Sequence, residues 1–328
     1  MDILVLNKKD IEEAITMTDA IDADKDALVL YSSNKSNIPL RVNISVPENE
    51  GQALFMPGYA GDGMGLGIKI VSVYPNNINL GKSSVPASMI LIDEKTGEVK
   101  SILDGTYLTQ LRTGALSGAA TDVLAKKDAE IFLIIGTGGQ AKSQVEAVLS
   151  VRKIKKIYVA DIDQKRAKEF SDYIMNEYNI DVEAVKNPNE VVGKADIITL
   201  VTTAKNPVFD ASNLKNGVHI NSVGSYTREM QETPVEVLLK ADKIFLDTIE
   251  GVINESGDVI LPLENGVITK EKICHELGNI INGKEKGREN DDEITWFKTT
   301  GSAVFDIVVA EKIYKKAVEK GIGKVLEI

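Results

Sequence analysis

The sequence AEIFLIIGTGGQAKSQVEAVL, residues 129–149, sets the architecture of this chain. Five apolar residues run without alternation into a glycine-rich turn, and apolar residues then recur at helical spacing, which predicts a buried strand, a tight turn and a helix. Gly136, Gly138 and Ala141 fit the G-x-G-x-x-G/A pattern, whose small residues make the turn, admit a pyrophosphate and allow close packing. The helix N-terminus then faces the phosphates. The pattern predicts a dinucleotide site, with an ordinary glycine-rich turn as the alternative.

The acid that follows this stretch favours one cofactor. The strand-like KIYVAD, residues 156–161, ends in Asp161, twenty residues after Ala141, where a carboxylate can accept hydrogen bonds from the adenosine ribose hydroxyls. Asp161 would repel a 2′-phosphate and offers no nearby arginine in its place, so NAD(H) is favoured over NADP(H). The residues predicted to bind this part of the cofactor are Gly136, Thr137, Gly138, Gly139, Gln140, Ala141 and Asp161.

Length and charge limit the classes of function. The chain has 328 residues, of which 43% are apolar, enough to bury two sizeable cores. A net charge of −11 opposes attraction to nucleic acid. No apolar run approaches the ~20 residues of a membrane span, and no basic leader precedes a long apolar block. We therefore expect a soluble, cytoplasmic protein without nucleic-acid or membrane partners.

Cysteine and histidine usage gives no sign of a metal site. Cys274 is the only cysteine, so neither an intrachain disulfide nor a thiolate cluster can form. His219, in a predicted buried strand, and His275, on a predicted helix, lack partners at metal or triad spacing. We expect structural roles for both histidines and no bound metal.

The segment before the glycine-rich stretch is predicted to be mostly antiparallel. A short strand, residues 3–6, precedes a helix from about Lys8 and a weakly patterned helix at residues 20–31. Several β-rich runs follow, and ASMILID and EVKSILD flank the turn EKTG as a β-hairpin. The helix from Lys8 has one apolar face, made of Ile11, Ala14, Ile15 and Met17. Together these elements predict an α+β domain.

A helix at residues 106–125 links this domain to the next. Small residues crowd its middle, which permits close helix approach. Arg112 stands just before Thr113 and Gly114, where we expect a local break or a tight approach to phosphate.

Beyond residue 149, strands alternate with helices, which predicts a parallel sheet with right-handed crossovers. The predicted strands are 182–185, 196–204, 217–225 and 243–248, with helices at 163–178 and 187–195. Ligands bind at the carboxyl ends of such strands. The residues predicted to border the nicotinamide are therefore Thr202, Thr203, Val223, Gly224 and Ser225.

The last segment, TWFKTTGSAVFDIVVAEKIYKKAVEKGIG, begins with a glycine-containing turn and becomes an amphipathic helix that could pack back on the first domain. The predicted fold class is α/β, with a Rossmann-type parallel-sheet domain, residues 116–304. A discontinuous α+β domain comprises residues 1–115 and 305–328.

Ten short motifs run through the chain in order: PLRVN, FMPGY, GIKIV, QLRTGA, IIGTGGQA, VADID, VTTA, NSVGS, ESGD and FKTTGSAVFD. This series closely resembles the ornithine cyclodeaminase and μ-crystallin family over nearly the whole chain, and RTGA followed by GTGGQA is more specific than the glycine pattern alone. The resemblance implies an NAD(P)-dependent homodimer whose discontinuous domain binds substrate and dimerises. Members include ornithine cyclodeaminases, alanine dehydrogenase-like enzymes and reductases of cyclic imines.

The resemblance also implies a substrate site. Arg41, Lys69 and Arg112 would bind the substrate α-carboxylate, with Lys69 close to the reacting carbon and nitrogen and therefore the catalytic candidate. Met56 and Tyr226 would line the substrate, and Thr113 and Gly301 the cofactor. A lysine between apolar neighbours and near two arginines should have a lowered pKa, which suits proton exchange with an imine. On pattern alone, Lys69 could instead be a solvent-facing strand residue.

Two carboxylates separate the possible reactions. Cyclodeamination needs a base for the substrate's δ-ammonium, yet Tyr226 stands where the cyclodeaminases have an aspartate after V-G-x. Leu54 likewise replaces the acid before their L-M-P motif. Glu229 or Glu232 could substitute from the same loop. Asp306 matches a recurring acid of the family, for which a cap or a domain-bridging hydrogen bond is as plausible as catalysis, and ESGD is interpreted as a turn without chemistry.

The leading hypothesis is an NADH-dependent reductase of a small cyclic 2-imino carboxylate, with Δ1-pyrroline-2-carboxylate as substrate and L-proline as product. Ornithine cyclodeaminase is the first alternative, and alanine dehydrogenase-like reductive amination is the second. The alternative that is not an enzyme is a binding protein similar to μ-crystallin, which holds a nucleotide and a small ligand with little turnover.

Overall fold

The computed structural model describes all residues, 1–328, and the chain divides into two compact units. The first unit comprises Met1–Arg112 and Ser302–Ile328, and the second comprises Thr113–Gly301. The first unit is therefore discontinuous in sequence. The limits expected from the sequence, 115 and 305, each lie three residues beyond the observed ones, 112 and 302.

The first unit is built on a seven-stranded sheet. Five adjacent strands that reach one edge of the sheet form a continuous antiparallel series, while the N-terminal strand pairs parallel with the first strand of that series and antiparallel with the C-terminal strand. The predicted hairpin of β5 and β6 is confirmed. In the spatial order β14-β1-β6-β5-β4-β3-β2, the strands are β1 (Asp2–Leu6), β2 (Val42–Val46), β3 (Gly51–Tyr59), β4 (Leu66–Val73), β5 (Ala87–Ile92), β6 (Val99–Asp104) and β14 (Lys324–Glu327).

Three helices belong to this unit: α1 (Lys8–Ala14), α2 (Met17–Ser32) and α10 (Ala303–Lys320). The prediction that one helix carries Ile15 and Met17 together with α1 is wrong, because the chain is extended at Ile15. Thr16 then caps α2 through a reciprocal pair of hydrogen bonds with Asp19, each satisfying a helix-end amide. Helix α10 packs on β3, β4 and β5 and against α1 and α2.

The second unit is a parallel seven-stranded sheet, as predicted. In the order β12-β13-β11-β10-β7-β8-β9, its strands are β7 (Ile131–Ile135), β8 (Lys156–Ala160), β9 (Asp181–Val185), β10 (Ile197–Leu200), β11 (His219–Ser222), β12 (Lys243–Leu246) and β13 (Thr295–Lys298). Strand β13 lies between β11 and β12, whereas the sequence predicted that the segment from Thr295 begins with a glycine-containing turn and continues as a helix.

The helices of this unit are α4 (Ala141–Val151), α5 (Gln164–Tyr178), α6 (Val235–Lys240), α7 (Ile249–Glu255), α8 (Gly257–Glu264) and α9 (Leu277–Ile281). Helix α3 (Gly105–Leu124) begins in the first unit and ends in the second. The helix predicted at 187–195 is wrong: Pro188–Glu190 and Val192–Lys194 form two separate 3₁₀ turns. No helix of either unit is long and apolar enough to span a bilayer.

Strand β7 shows why the apolar run at 131–135 lacks alternation. Phe132 and Ile134 enter one hydrophobic cluster, whereas Leu133 and Ile135 enter another. Successive side chains point to opposite faces of the sheet, and both faces are buried. The strand order reverses between β7 and β10, where a doubly wound sheet opens a crevice at the carboxyl ends of its strands.

Candidate active site

Lys69 lies in the middle of β4 on the buried face of the sheet. Its side chain is 2% exposed, whereas Ile68 and Ile70 are half-buried on the opposite face. Met56 of β3 and Met89 of β5 stand directly across from Lys69 on either side, and both are buried. The alternative that Lys69 faces solvent is therefore wrong. The lysine points to the side of the sheet that helix α10 covers.

An acid on α10 meets Lys69 from that side. Asp306, in the first turn of the helix, is fully buried. Its Oδ2 lies 2.6 Å from Nζ of Lys69, and its Oδ1 lies 2.9 Å from Nε of Arg112. The sequence suggested a cap or a domain-bridging bond as readily as a catalytic role. In the structure Asp306 joins two cations of the predicted substrate site, all within the first unit.

When Lys69 is protonated, this cluster holds two buried positive charges, Lys69 and Arg112, against the one negative charge of Asp306. Lys69 and Arg112 are both buried and share the single carboxylate of Asp306. Arg41, the residue before β2, adds a further positive charge that acts on Lys69. Buried charge without a counterion is costly, so the arrangement favours an anionic ligand. A carboxylate, which a guanidinium binds through paired hydrogen bonds, meets that requirement.

The same surroundings tune the lysine. The pKa of Lys69 is lowered from 10.5 to about 7, chiefly by burial, against the opposing pull of Asp306. The positive charges of Arg112 and Arg41 lower this pKa further. An amine that titrates near neutrality can hold or release a proton under ordinary conditions, which is what proton exchange with an imine requires.

Asp24 was missed from the sequence. It lies on α2, is fully buried, and neither carboxyl oxygen has a hydrogen-bond partner. Burial raises its pKa well above the ordinary value, with the charge of Arg112 opposing and that of Asp306 adding to the rise. The raised pKa favours the protonated, neutral form of Asp24 beside the cation pair. The available signal was its place in an apolar stripe with Ala20 and Ala27.

Helix α3 carries Arg112 without the predicted break. It runs continuously over Gly105–Leu124, and Gly114 is needed for a different reason. A Cβ at Gly114 would lie 2.5 Å from the carbonyl oxygen of Ser143 in α4, so the two helices touch backbone to backbone. The neighbouring carbonyl of Thr113 accepts a hydrogen bond from Nε2 of Gln144, at 3.1 Å. The hydroxyl of Thr113 is buried without a hydrogen-bond partner.

The glycine-rich turn after β7 has the features that a dinucleotide needs. Gly136 has φ +104°, and a Cβ there would lie 2.6 Å from the carbonyl oxygen of Val201. At Gly138 nothing lies within 4 Å of the Cβ position, so the backbone borders open space. Gln140, the residue before α4, makes no capping hydrogen bond, which leaves the helix amides for a ligand. Gly139 and the buried Ala141 complete the turn.

Asp161 follows β8 and is tied to this turn. Its carboxylate accepts hydrogen bonds from the amide of Thr137 at 2.8 Å, the Thr137 hydroxyl at 2.6 Å and the amide of Asp163 at 2.9 Å. Burial alone would raise the pKa of Asp161, but these bonds bring it below its ordinary value. The expectation of no nearby arginine is wrong, because Arg166 acts on this carboxylate and donates to the carbonyl oxygen of Thr137 at 3.3 Å.

The predicted nicotinamide residues lie on loops at the carboxyl ends of β10 and β11. Thr202 is half-buried and Thr203 exposed after β10, while Val223, Gly224 and Ser225 follow β11. The hydroxyl of Ser225 is fully used inside the protein, donating to the carbonyl oxygen of Met230 at 2.7 Å. Gly301, with φ +76°, ends the loop after β13. Tyr226, half-buried, belongs to this second unit rather than to the unit of Lys69.

Glu232 and Glu229 differ in whether their carboxylates are available to replace the acid of the cyclodeaminases. Glu232 is fully buried, and its carboxylate accepts the amides of Thr202 at 2.8 Å and Gly224 at 2.5 Å. It is therefore committed to the protein interior. Glu229 is exposed and accepts a hydrogen bond from Thr227. The ESGD segment, interpreted as a turn, instead joins α7 to α8 and buries Asp258.

The two histidines have protein partners. His219 bonds through one ring nitrogen to Thr295 at 2.9 Å and through the other to Asn221 at 3.0 Å, and burial lowers its pKa to about 3. His275 pairs with Glu285 at 2.8 Å. No group of three or more His, Cys, Asp or Glu side chains is placed to hold a metal ion.

The chain is similar to known proteins over nearly its whole length. The family model of the ornithine cyclodeaminase/mu-crystallin family matches residues 1–321. A Delta(1)-pyrroline-2-carboxylate reductase of Bacillus cereus is 40% identical over 324 residues, which cover 99% of each chain. The solved Thermococcus litoralis Delta(1)-pyrroline-2-carboxylate reductase in complex with NADH and L-proline superposes with a TM-score of 0.93 at 42% identity, covering 98% of this chain and 99% of that one.

A second solved relative is an archaeal alanine dehydrogenase dimer with bound NAD. It is 34% identical, covers 100% of both chains and gives a TM-score of 0.91. From the family model and these full-length similarities, this chain belongs to the ornithine cyclodeaminase/mu-crystallin family.

Proposed function

We propose that this protein is an NADH-dependent reductase of a small cyclic 2-imino carboxylate, converting Δ1-pyrroline-2-carboxylate to L-proline. The observation that carries the proposal is the buried pair Lys69 and Arg112 sharing one carboxylate, in a chain 40% identical to a reductase of that name over 99% of its length. The substrate supplies the missing anion as its carboxylate. Its nitrogen is the group with which a lysine of pKa about 7 would exchange a proton.

The chain's own residues bind and orient the substrate. Arg112 and Arg41 hold the carboxylate and so fix which face of the adjacent carbon is presented. Lys69 keeps the ring nitrogen protonated, because an iminium accepts hydride far more readily than a neutral imine. Met56 and Met89 flank the lysine and exclude water around it. The nicotinamide of NADH supplies the hydride when it is bound.

The turn after β7 provides the cofactor site. Gly136 and Gly138 leave room for the pyrophosphate at the start of α4, and Asp161 is placed to receive the ribose hydroxyls. The relatives solved with NADH or NAD support the same cofactor. The carboxylate of Asp161 repels a 2′-phosphate and therefore favours NADH over NADPH. Arg166 is the positive charge next to this carboxylate.

We also propose that the protein is a homodimer. The sheet face opposite Lys69 is apolar and has no covering helix in its own unit: Val42, Phe55 and Ile70 stand in register across β2, β3 and β4. Ile44, on the same edge, is 51% exposed and Val42 is 55% exposed. An open apolar face of this kind marks an association surface. The archaeal alanine dehydrogenase relative, a dimer, supports a second copy as the partner.

The test of the reaction measures NADH consumption with Δ1-pyrroline-2-carboxylate, beside ornithine plus NAD with ammonia detection. We expect rapid NADH loss with L-proline formed, and no ammonia from ornithine, since Glu232 is committed elsewhere and Leu54 and Tyr226 are not acids. Ammonia and proline from ornithine, with no net change in NADH, would instead establish the cyclodeaminase. Reduction of pyruvate only with free ammonia present would establish alanine dehydrogenase activity.

A further inference from the structure

Glu232 joins two loops that leave neighbouring strands of the second unit. Its Oε2 accepts the amide of Thr202 at 2.8 Å and the hydroxyl of the same residue at 2.9 Å. Its Oε1 accepts the amides of Gly224 at 2.5 Å and Ser225 at 3.2 Å. One buried carboxylate thus fixes the loop after β10 and the loop after β11 to each other.

The two loops touch so closely that the contact admits no side chain. A Cβ at Gly224 would lie 2.0 Å from the carbonyl oxygen of Thr202 and 2.7 Å from Oε2 of Glu232. The spacing of the loops is therefore set by backbone contact and by the reach of one glutamate. A shift of either loop breaks at least one hydrogen bond to a group from which water is excluded, which is costly.

The buried carboxylate is held in turn by a second acid and a lysine. Asp258 accepts the amide of Glu232 at 2.9 Å and the hydroxyl of Ser222 at 2.9 Å. The Nζ of Lys298, at the end of β13, lies 3.4 Å from Oδ2 of Asp258, and both side chains are fully buried. These contacts connect the ends of β11 and β13 to the glutamate and give the cluster its only cation.

We propose that Glu232 is a positioning residue for the cofactor, setting the spacing of the Thr202 and Gly224–Ser225 loops so that they receive the nicotinamide half of NADH. This inference rests on the proposed function for the contacts of those loops with the nicotinamide. It assigns Glu232 no contact with the reacting atoms. The hydrogen bonds of Glu232 go to Thr202, Gly224 and Ser225. They do not involve Gly136 or Asp161, where the adenosine half is proposed to bind.

The amide variant Glu232→Gln tests this role with little change of shape. Both carboxylate oxygens accept backbone amides, so whichever way the glutamine amide turns, its NH₂ group faces an N–H donor. We expect the Kd for NADH to rise about tenfold or more, while the Kd for ADP-ribose, which lacks the nicotinamide, stays within about twofold. Both are measured by calorimetry on the full chain, with the melting temperature recorded alongside.

Two further variants keep the test decisive. Glu229→Gln changes the exposed acid three residues away and should leave both affinities unchanged. Glu232→Asp keeps a carboxylate that accepts hydrogen bonds but shortens the side chain by one methylene. If the glutamine variant does not fold, this variant should still raise the Kd for NADH more than the Kd for ADP-ribose, by a smaller factor. Unchanged NADH affinity, or equal weakening of NADH and ADP-ribose, would overturn the proposal. Failure of the wild type to reduce the imine would overturn the proposed reaction alone, because the binding split needs no turnover.

Discussion

Oδ2 of Asp306 lies 2.6 Å from Nζ of Lys69, and this contact places a helix N-terminal acid against a strand lysine in the interior of the first unit. The same carboxylate reaches Arg112 through its other oxygen. Asp306 thereby keeps Lys69 partly protonated against the effect of burial. Without it, desolvation and the arginines would lower the pKa of the lysine further.

Replacing Lys69 by methionine should abolish most turnover while the fold survives. The new side chain is similar in length and would pack between Met56 and Met89, so loss of the ammonium is the main change. We expect kcat to fall roughly 100-fold or more, the range typical of a lost proton-transfer group, with NADH affinity within about twofold. The matched control is Lys95→Met, at an exposed turn. Unchanged kcat in Lys69→Met would remove the lysine from the mechanism.

Binding of a carboxylate ligand beside Lys69 should be accompanied by uptake of a proton. In the free protein the pKa of Lys69 is about 7, so at pH 8 the amine is mostly neutral. A bound carboxylate nearby raises that pKa, by roughly 1–3 units for close charges, and the lysine then binds a proton. Calorimetry at pH 8 with cyclopentanecarboxylate, a substrate-sized carboxylate without a basic nitrogen, in buffers of different ionisation enthalpy, should detect uptake of up to about one proton per site. Uptake that persists in Lys69→Met would have to come from another group.

The buried acid Asp24 gives a stability test with a defined sign. Its folded-state pKa is raised, so between the unfolded value near 3.8 and the raised value the folded state binds more protons, and its contribution to stability declines as pH rises. Asp24→Asn removes this titration. We expect the free energy of unfolding of the variant, relative to wild type, to increase from pH 4 to pH 8.

The control for this measurement is Asp22→Asn, the same substitution at an exposed position on the same helix. Urea unfolding at the two pH values supplies the comparison. A constant difference between Asp24→Asn and wild type would show that Asp24 is ionised in the folded protein.

Cofactor preference should follow Asp161. In the wild type we expect kcat/KM for NADH to exceed that for NADPH, because the carboxylate accepts ribose hydroxyls and repels a 2′-phosphate. Asp161→Ala should lower kcat/KM for NADH about tenfold. It should also reduce or reverse the preference for NADH over NADPH in kcat/KM, because Arg166 would then face the 2′ position without its acidic neighbour. A wild type that prefers NADPH would contradict the assignment directly.

The apolar sheet face should control association. Ile44→Asp puts a charge at a position that is 51% exposed in the single chain, where it costs the monomer little. If that face is the dimer surface, the variant should run as a monomer by light scattering while the wild type runs as a dimer. Glu98→Lys, at the exposed β5–β6 turn, is the control. A dimeric Ile44→Asp variant would place the association surface elsewhere.

The sequence predicted the second unit well because its signals are local. An unbroken apolar run, a glycine turn and an acid at the end of the next strand are sufficient to specify β7, α4 and Asp161. Thr16 and Asp19 have the spacing of a capping box, which marks the break between α1 and α2, but the apolar stripe across the break favours one continuous helix.

The site was harder to predict where it depends on distant contacts. Strand alternation placed Lys69 and its isoleucine neighbours on opposite faces, yet which face is buried depends on α10, more than 200 residues later. The pairing of Asp306 with Lys69 could not be predicted for the same reason, because Asp306 lies on α10. Asp24 offered only its place in an apolar stripe and Glu232 only its place in a loop, because the partners that define a buried acid come from distant parts of the chain.

Strand β13 has a consequence for how the chain is synthesised. It emerges from the ribosome after every other strand of its sheet, yet it occupies the position between β11 and β12. Until residue 298 is made, β11 has an open edge and β12 lacks its only neighbouring strand. The nucleotide-binding sheet therefore cannot be completed progressively during translation. Its final assembly waits for a four-residue segment encoded close to the end of the unit.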